Sequence, residues 1–171
     1  MAAISTPAPL PRAFEDAMVF IDGSNVLVEL KNAGLTLHSF HALGRYAVGE
    51  RQLKRVYVYS TQPKIDAAKQ EHGTACFENC RVVLGDSIVG KNGVCREKGV
   101  DALLVADLVY HAAMKNFRYA VVISRDSDFS AALKRVEDFG CRTGLVCLVK
   151  HAPQRLIDAC DDYRLFEGEL L

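Results

Sequence analysis

Acidic residues stand where apolar segments begin or end. The stretch VVISRDSDF carries Asp126 and Asp128 just past a run of β-forming residues, and AMVFID closes on Asp22. Asp101 opens a further apolar segment, VDALLVADLV. Carboxylates gathered in one place repel and resist ionising together. A divalent cation removes that penalty, and Mg²⁺ and Mn²⁺ favour oxygen donors while keeping several waters. Phosphodiester hydrolysis suits such a site. The metal lowers the pKa of a bound water, orients it for in-line attack and offsets transition-state charge. Each acid also has a plainer role open to it. Asp126, Ser127 or Asp128 can cap a helix, Asp101 can favour the positive end of one, and Asp22-Gly23 can be turn chemistry.

The elements that must position these acids follow from periodicity and punctuation. Residues 17–22 read as a strand and 24–33 as a helix stopped by Gly34. A helix over 38–50, a strand over 54–60, a helix from Pro63 to residue 71 and a strand over 81–85 come next. The segment 86–98 is a loop or a hairpin with a tight turn at Asn92-Gly93. A long helix over 100–116, a strand over 119–124 and a helix over 127–139 ended by Gly140 follow. The chain then predicts a strand over 142–149, a helix from Pro153 to residue 161 and a short strand over Tyr163–Phe166.

Strands alternating with helices predict an α/β fold with a mostly parallel central sheet flanked by helices. Right-handed crossovers place the C-terminal ends of parallel strands on one edge. Ligands of such sheets sit there, near the switch in strand order. Strands lie about 4.8 Å apart, so Asp22 and Asp126 come within reach of a single ion. Asp107 differs from the other acids. It sits in a segment apolar nearly all round, LLVADLVYHAAM, and such a helix is expected to be buried. A buried acid needs a partner or a function. Six residues at ~100° each put Asp101 and Asp107 about 120° apart around the helix, on different faces.

The 171 residues suit one domain with one core, half of them apolar and a quarter charged. The formal net charge is zero, so a nucleic-acid partner requires a local basic patch. Lys91, Arg96, Lys98 and Arg125 lie near the proposed edge and supply one. Arg45, Arg51, Lys54 and Arg55 form a second basic cluster at the start of a strand, hence at the opposite edge, where a surface or interface role is expected. No apolar stretch approaches the ~20 residues a membrane span needs. Residues 1–15 read as a flexible leader without the order of a signal peptide, which predicts a cytoplasmic location and reduced cysteines. His72, Cys76 and Cys80 are spaced four apart, with Cys95 as a fourth candidate zinc ligand. No C-x-x-C pair supports that site, and Cys141, Cys147 and Cys160 have the apolar neighbours of core residues.

Three blocks taken together carry a family resemblance. VFIDGSNV (19–26), KGVDALLVADLV (98–109) and SRDSDF (124–129) resemble the signature blocks of NYN domains, in the PIN-like superfamily and its LabA-like or DUF88 branch. The resemblance runs from about residue 17 to 166 and makes residues 16–171 a single domain. It implies a Rossmann-like, PIN-type fold and, in many members, Mg²⁺- or Mn²⁺-dependent ribonuclease activity. Asp22 matches the metal acid of the first strand, and Asn25 the polar residue after it. Asp101 and Asp107 match the acids of the second block, Lys98 its basic residue, and Asp126 and Asp128 the acid pair of the third. Arg125 stands where the family usually has Gly; its guanidinium is available to grip a phosphate or to pair with Asp126.

The resulting expectation is a metal-dependent endoribonuclease acting on RNA, single-stranded by preference. Asp22, Asp101 and Asp126 hold the ion, Asp128 assists, Asp107 is a further candidate ligand and Asn25 orients water or ligand. Lys91, Arg96, Lys98 and Arg125 hold the RNA backbone, through phosphate contacts that carry no sequence information. A homodimer would extend the substrate groove. The alternative expectation is an RNA-binding or assembly module of the same fold that keeps its acids for structure.

Overall fold

The structure, a computed structural model, describes residues 15–89 and 95–166, with Cys95 described by its backbone. The described residues form a seven-stranded sheet in the order β4-β3-β2-β1-β5-β6-β7. Its strands are β1 (Asp16–Asp22), β2 (Gln52–Thr61), β3 (Arg81–Val89), β4 (Cys95–Lys98), β5 (Tyr119–Ile123), β6 (Arg142–Cys147) and β7 (Asp162–Leu165). All neighbours pair in parallel except β3 and β4. Helices cover both faces: α1 (Gly23–Ala33), α2 (Phe40–Val48) and α3 (Gln62–His72) on one, α4 (Val100–Ala113), α5 (Ser130–Asp138) and α6 (Gln154–Ile157) on the other.

The strand sequences explain this layering. In β1, Ala17, Val19 and Ile21 enter the core under α1 and α2, while Met18 and Phe20 enter the core under α4 and α5. Side chains alternate across a strand, so a central strand with helices on both sides must be apolar throughout. The chain order then sets the switch point. From β1 it moves outward through β2 and β3, and β5 begins the other half beside β1. Asp22 and the residues just past β5 therefore flank the crevice where strand order reverses.

Local signals end the helices where expected. Gly34 adopts φ 66°, ψ 30° after α1, and its N–H returns to the carbonyls of Leu30 and Lys31. Ser39 caps α2 through Ala42 N–H. Pro63 lies in the first turn of α3.

Several expectations change. Of the segment 86–98, residues 86–89 extend β3 and pair antiparallel with β4, from Asp86↔Lys98 to Val89↔Cys95, as the arms of the expected hairpin do. Its turn at Asn92-Gly93, Lys91 and the leader up to residue 14 lie outside the described residues. The helix over 127–139 opens as a 3-10 turn, Ser127–Phe129, before α5. His72, Cys76 and Cys80 do not share a helix face: α3 stops at His72, and Cys76 lies buried in a 3-10 turn, Thr74–Phe77. His72 Nδ1 instead accepts a hydrogen bond from Leu37 N–H.

The α4 helix is only half covered. Val100, Leu104, Leu108 and Ala112 form its buried stripe, and each fully buried leucine contributes about 1.5–3 kcal/mol. Leu103 and Tyr110 remain exposed, as does Met114 at its end. A helix laid on a sheet as the outer layer has one face to bury, whatever its outer residues are.

Candidate active site

Asp22 is the most constrained of the predicted acids. It is the last residue of β1 and the N-cap of α1, and only 4% exposed. One carboxylate oxygen accepts from Asn25 N–H at 3.1 Å, and the other accepts from Ser124 Oγ at 2.8 Å. The sharp passage from β1 into α1 depends on Gly23. A Cβ there would lie 2.8 Å from the Tyr59 carbonyl oxygen.

Ser124 ties the second group of acids to the first. Its hydroxyl donates to Asp22 and accepts from Asp126 N–H at 3.0 Å. Asp126 in turn accepts from Asp128 N–H at 2.9 Å through Oδ1. Asn25 closes the arrangement from α1, accepting from Arg125 N–H at 3.3 Å through its side-chain oxygen. Capping and site geometry thus coexist: Asp22 and Asp126 hold backbone N–H groups with one oxygen and still face the same rim.

The acids act on one another electrostatically. Burial pushes the Asp22 carboxyl up to about 6, and the charges of Asp101 and Asp126 add to that rise against the hydrogen bonds from Asn25 and Ser124. Asp101, in the first turn of α4, is raised by partial burial and by Asp126, Glu97 and Asp128. Among the described residues, no lysine or arginine forms an ion pair with Asp22, Asp101, Asp126 or Asp128. Equally, no three His, Cys, Asp or Glu side chains among them close on one point tightly enough to hold an ion. Repulsion within a carboxylate cluster opposes such closure, and a divalent cation reverses its sign. In chemistry and charge, an all-carboxylate donor set without cationic partners fits a hard divalent ion.

Asp107 stands apart. Tyr59 Oη donates to it at 2.9 Å, and it lies six residues further along α4 than Asp101. The further candidate ligand is thus a partner for a buried tyrosine hydroxyl.

The basic residues distribute unevenly. Arg96 and Lys98 are exposed on β4 and alternate with Glu97, so they face away from it. Arg125 does not pair with Asp126. Its Nη1 donates to Glu29 at 2.8 Å and its Nε to the His151 carbonyl at 3.0 Å. Its backbone is not among the positive-φ residues, so a glycine is not required there. Lys91 lies outside the described residues.

Glu97, Lys64 and Ser60, none of them singled out from sequence, also reach the rim, together with Ser24. Ser24 Oγ donates to Glu97 at 2.5 Å and lies 3.1 Å from Ser60 Oγ, while Lys64 pairs with the other Glu97 oxygen at 2.9 Å. The available signal was positional: Ser60 and Lys64 flank the C-terminal end of β2, and strand ends of one parallel sheet share an edge.

Residues 16–167 match the NYN domain. The chain belongs to the NYN domain family. NYN domains are part of the PIN-like superfamily, whose nuclease-like members generally depend on a divalent metal. A similar solved structure is a protein of unknown function, VPA0982, from Vibrio parahaemolyticus RIMD 2210633. It aligns with a TM-score of 0.74 at 17% identity, over 95% of this chain and 99% of that one. At that identity the likeness concerns the fold. No curated protein matches the chain.

Proposed function

We propose that this NYN domain is a divalent-metal-dependent endoribonuclease that hydrolyses phosphodiester bonds of single-stranded RNA. The observation carrying this reading is the gathering of Asp22, Asp101 and Asp126 at the β1/β5 switch point, where Ser124 bridges Asp22 and Asp126 and, among the described residues, no lysine or arginine is ion-paired with the three acids. Those three carboxylates would hold Mg²⁺ or Mn²⁺, with Asp128 beside them. The ion would supply a water of lowered pKa and offset negative charge on the phosphate. Ser124 fixes the Asp22 carboxylate and the Asp126 backbone through one hydroxyl. Asn25 holds the loop after β5 against α1. Arg96 and Lys98 are free to meet the RNA backbone, and Lys64, paired with Glu97, places a further cation near Asp101.

A second reading is a non-catalytic RNA-binding module. The absence of a closed three-ligand cluster among the described residues favours it. One experiment separates the two. Purified protein and its Asp22→Asn and Asp126→Asn variants are incubated with single-stranded RNA and Mg²⁺, Mn²⁺ or EDTA. The nuclease reading expects metal-dependent cleavage that falls at least about a hundredfold in both variants, the scale of losing a transition-state charge stabiliser. RNA binding without cleavage under either ion selects the module. Cleavage unchanged in both variants identifies a contaminant.

A further inference from the structure

Beside the acid rim, α1 and the segment after β6 enclose a small cavity of about 190 Å³, lined by Glu29, Asn32, Ala33, Arg125, Val149 and Lys150. That cavity suits one flat heterocycle and excludes a helix or a duplex. It begins one helical turn, roughly 6 Å, along α1 from Asn25, and Arg125 belongs both to its wall and to the loop that Asn25 clasps. A strand whose phosphate sits at the rim can therefore lay a neighbouring nucleotide here.

The wall is organised for a base. Arg125 donates in its own plane, through Nη1 to Glu29 and through Nε to the His151 carbonyl. These two bonds fix the guanidinium plane, and the side chain stays 31% exposed. A fixed, partly exposed guanidinium plane is a stacking surface for a nucleobase. Val149 and Ala33 supply apolar contact, and Lys150 supplies a cation for an adjoining phosphate.

Glu29 sets the preference. One of its oxygens is held by Arg125, which leaves the other as an acceptor with no donor function. An exocyclic amine, as on cytosine, adenine or guanine, can donate to it. Uracil has a single base-edge donor, its N3–H, flanked on both sides by carbonyl oxygens that a carboxylate repels. We infer that this cavity is a nucleobase subsite, taking an amine-bearing base and disfavouring uracil at one position flanking the scissile phosphate. The inference rests on the ribonuclease reading for its catalytic consequence and on the cavity for its binding consequence.

Two measurements test it separately. Cut sites are mapped on a random-sequence single-stranded RNA pool for the intact protein, Glu29→Gln and Asn32→Ala. The intact protein should disfavour uracil about tenfold at one fixed position, the worth of one hydrogen bond to a charged group. Glu29→Gln keeps an acceptor for Arg125 but adds an amide donor, so it should erase that bias; Asn32→Ala, at the exposed lip, should weaken it and guards against a folding artefact in the first variant. Cleavage with no base bias at any position overturns the subsite and leaves the nuclease reading standing. Binding of labelled oligo(C), oligo(A) and oligo(U) in EDTA needs no catalysis. Tighter binding of the first two, lost in Glu29→Gln, supports the subsite even if no RNA is ever cut. Equal affinity for all three overturns it.

Discussion

Asp22 illustrates how one residue can serve a site at the expense of the fold. Its carboxyl goes from an ordinary 3.8 to about 6 on folding, chiefly through burial. Between those values the folded protein binds the proton and the unfolded chain releases it, so stability falls as pH rises through this window. The benefit is full below pH 3.8 and gone above about 6, and two pKa units correspond to about 3 kcal/mol. Urea unfolding from pH 4 to 7.5 in EDTA should show the intact protein losing roughly that much relative to Asp22→Asn. Parallel pH profiles for the two proteins would refute the assignment. Added Mg²⁺ or Mn²⁺ at pH 7.5 should then stabilise the intact protein and leave Asp22→Asn nearly unchanged.

At the scale of elements, the glycines at the two ends of α1 make opposite demands. Gly34 occupies the left-handed region with open space around its missing Cβ. Gly34→Ala should cost about 1–2 kcal/mol through backbone conformation alone and leave RNA cleavage intact. Gly23 is limited by space, facing the Tyr59 carbonyl and the Val58 side chain. Gly23→Ala should push α1 off β2, displace Asp22 and lower cleavage together with stability. Melting temperature and cleavage rate for both variants check this; equal loss of cleavage in the two would contradict it.

The order of strands and helices was legible because apolar periodicity, Gly34 and Pro63 each have a local cause. The convergence of Asp22 and Asp126 was legible because parallel strands share an edge. Glu97 was not. Its place at the rim depends on β4 pairing antiparallel at the end of the strand order β4-β3-β2-β1, which no local pattern encodes. The role of Asp107 depended on Tyr59, 48 residues away. The exposed face of α4 was hidden by composition: with apolar residues on every side, there is no stripe to read.

Across the whole molecule, the edge opposite the acids carries its own polar anchor. Arg51, expected on the surface, is 2% exposed. It donates to Glu15 at 2.7 Å, lies within 3.5 Å of Asp162 and stands over the Tyr119 ring with its guanidinium carbon 3.5 Å from the centroid. It thereby ties the start of β1 to β7. Removing one partner of a buried pair costs about 3–5 kcal/mol; Glu15 and Asp162 keep some solvent contact, which places Arg51→Ala near the lower figure. Urea denaturation measures it, and a change under 1 kcal/mol would show that the network contributes little.

The bond from Ser124 to Asp22 spans 102 positions of chain. A polypeptide still emerging from the ribosome can pair β1 with β2, yet it owns no working rim until β5 has been made and inserted beside β1. Under the nuclease reading, competence to cut therefore waits for β5, and a product truncated before β5 lacks the Ser124 hydroxyl and the Asp126 carboxylate that complete the rim.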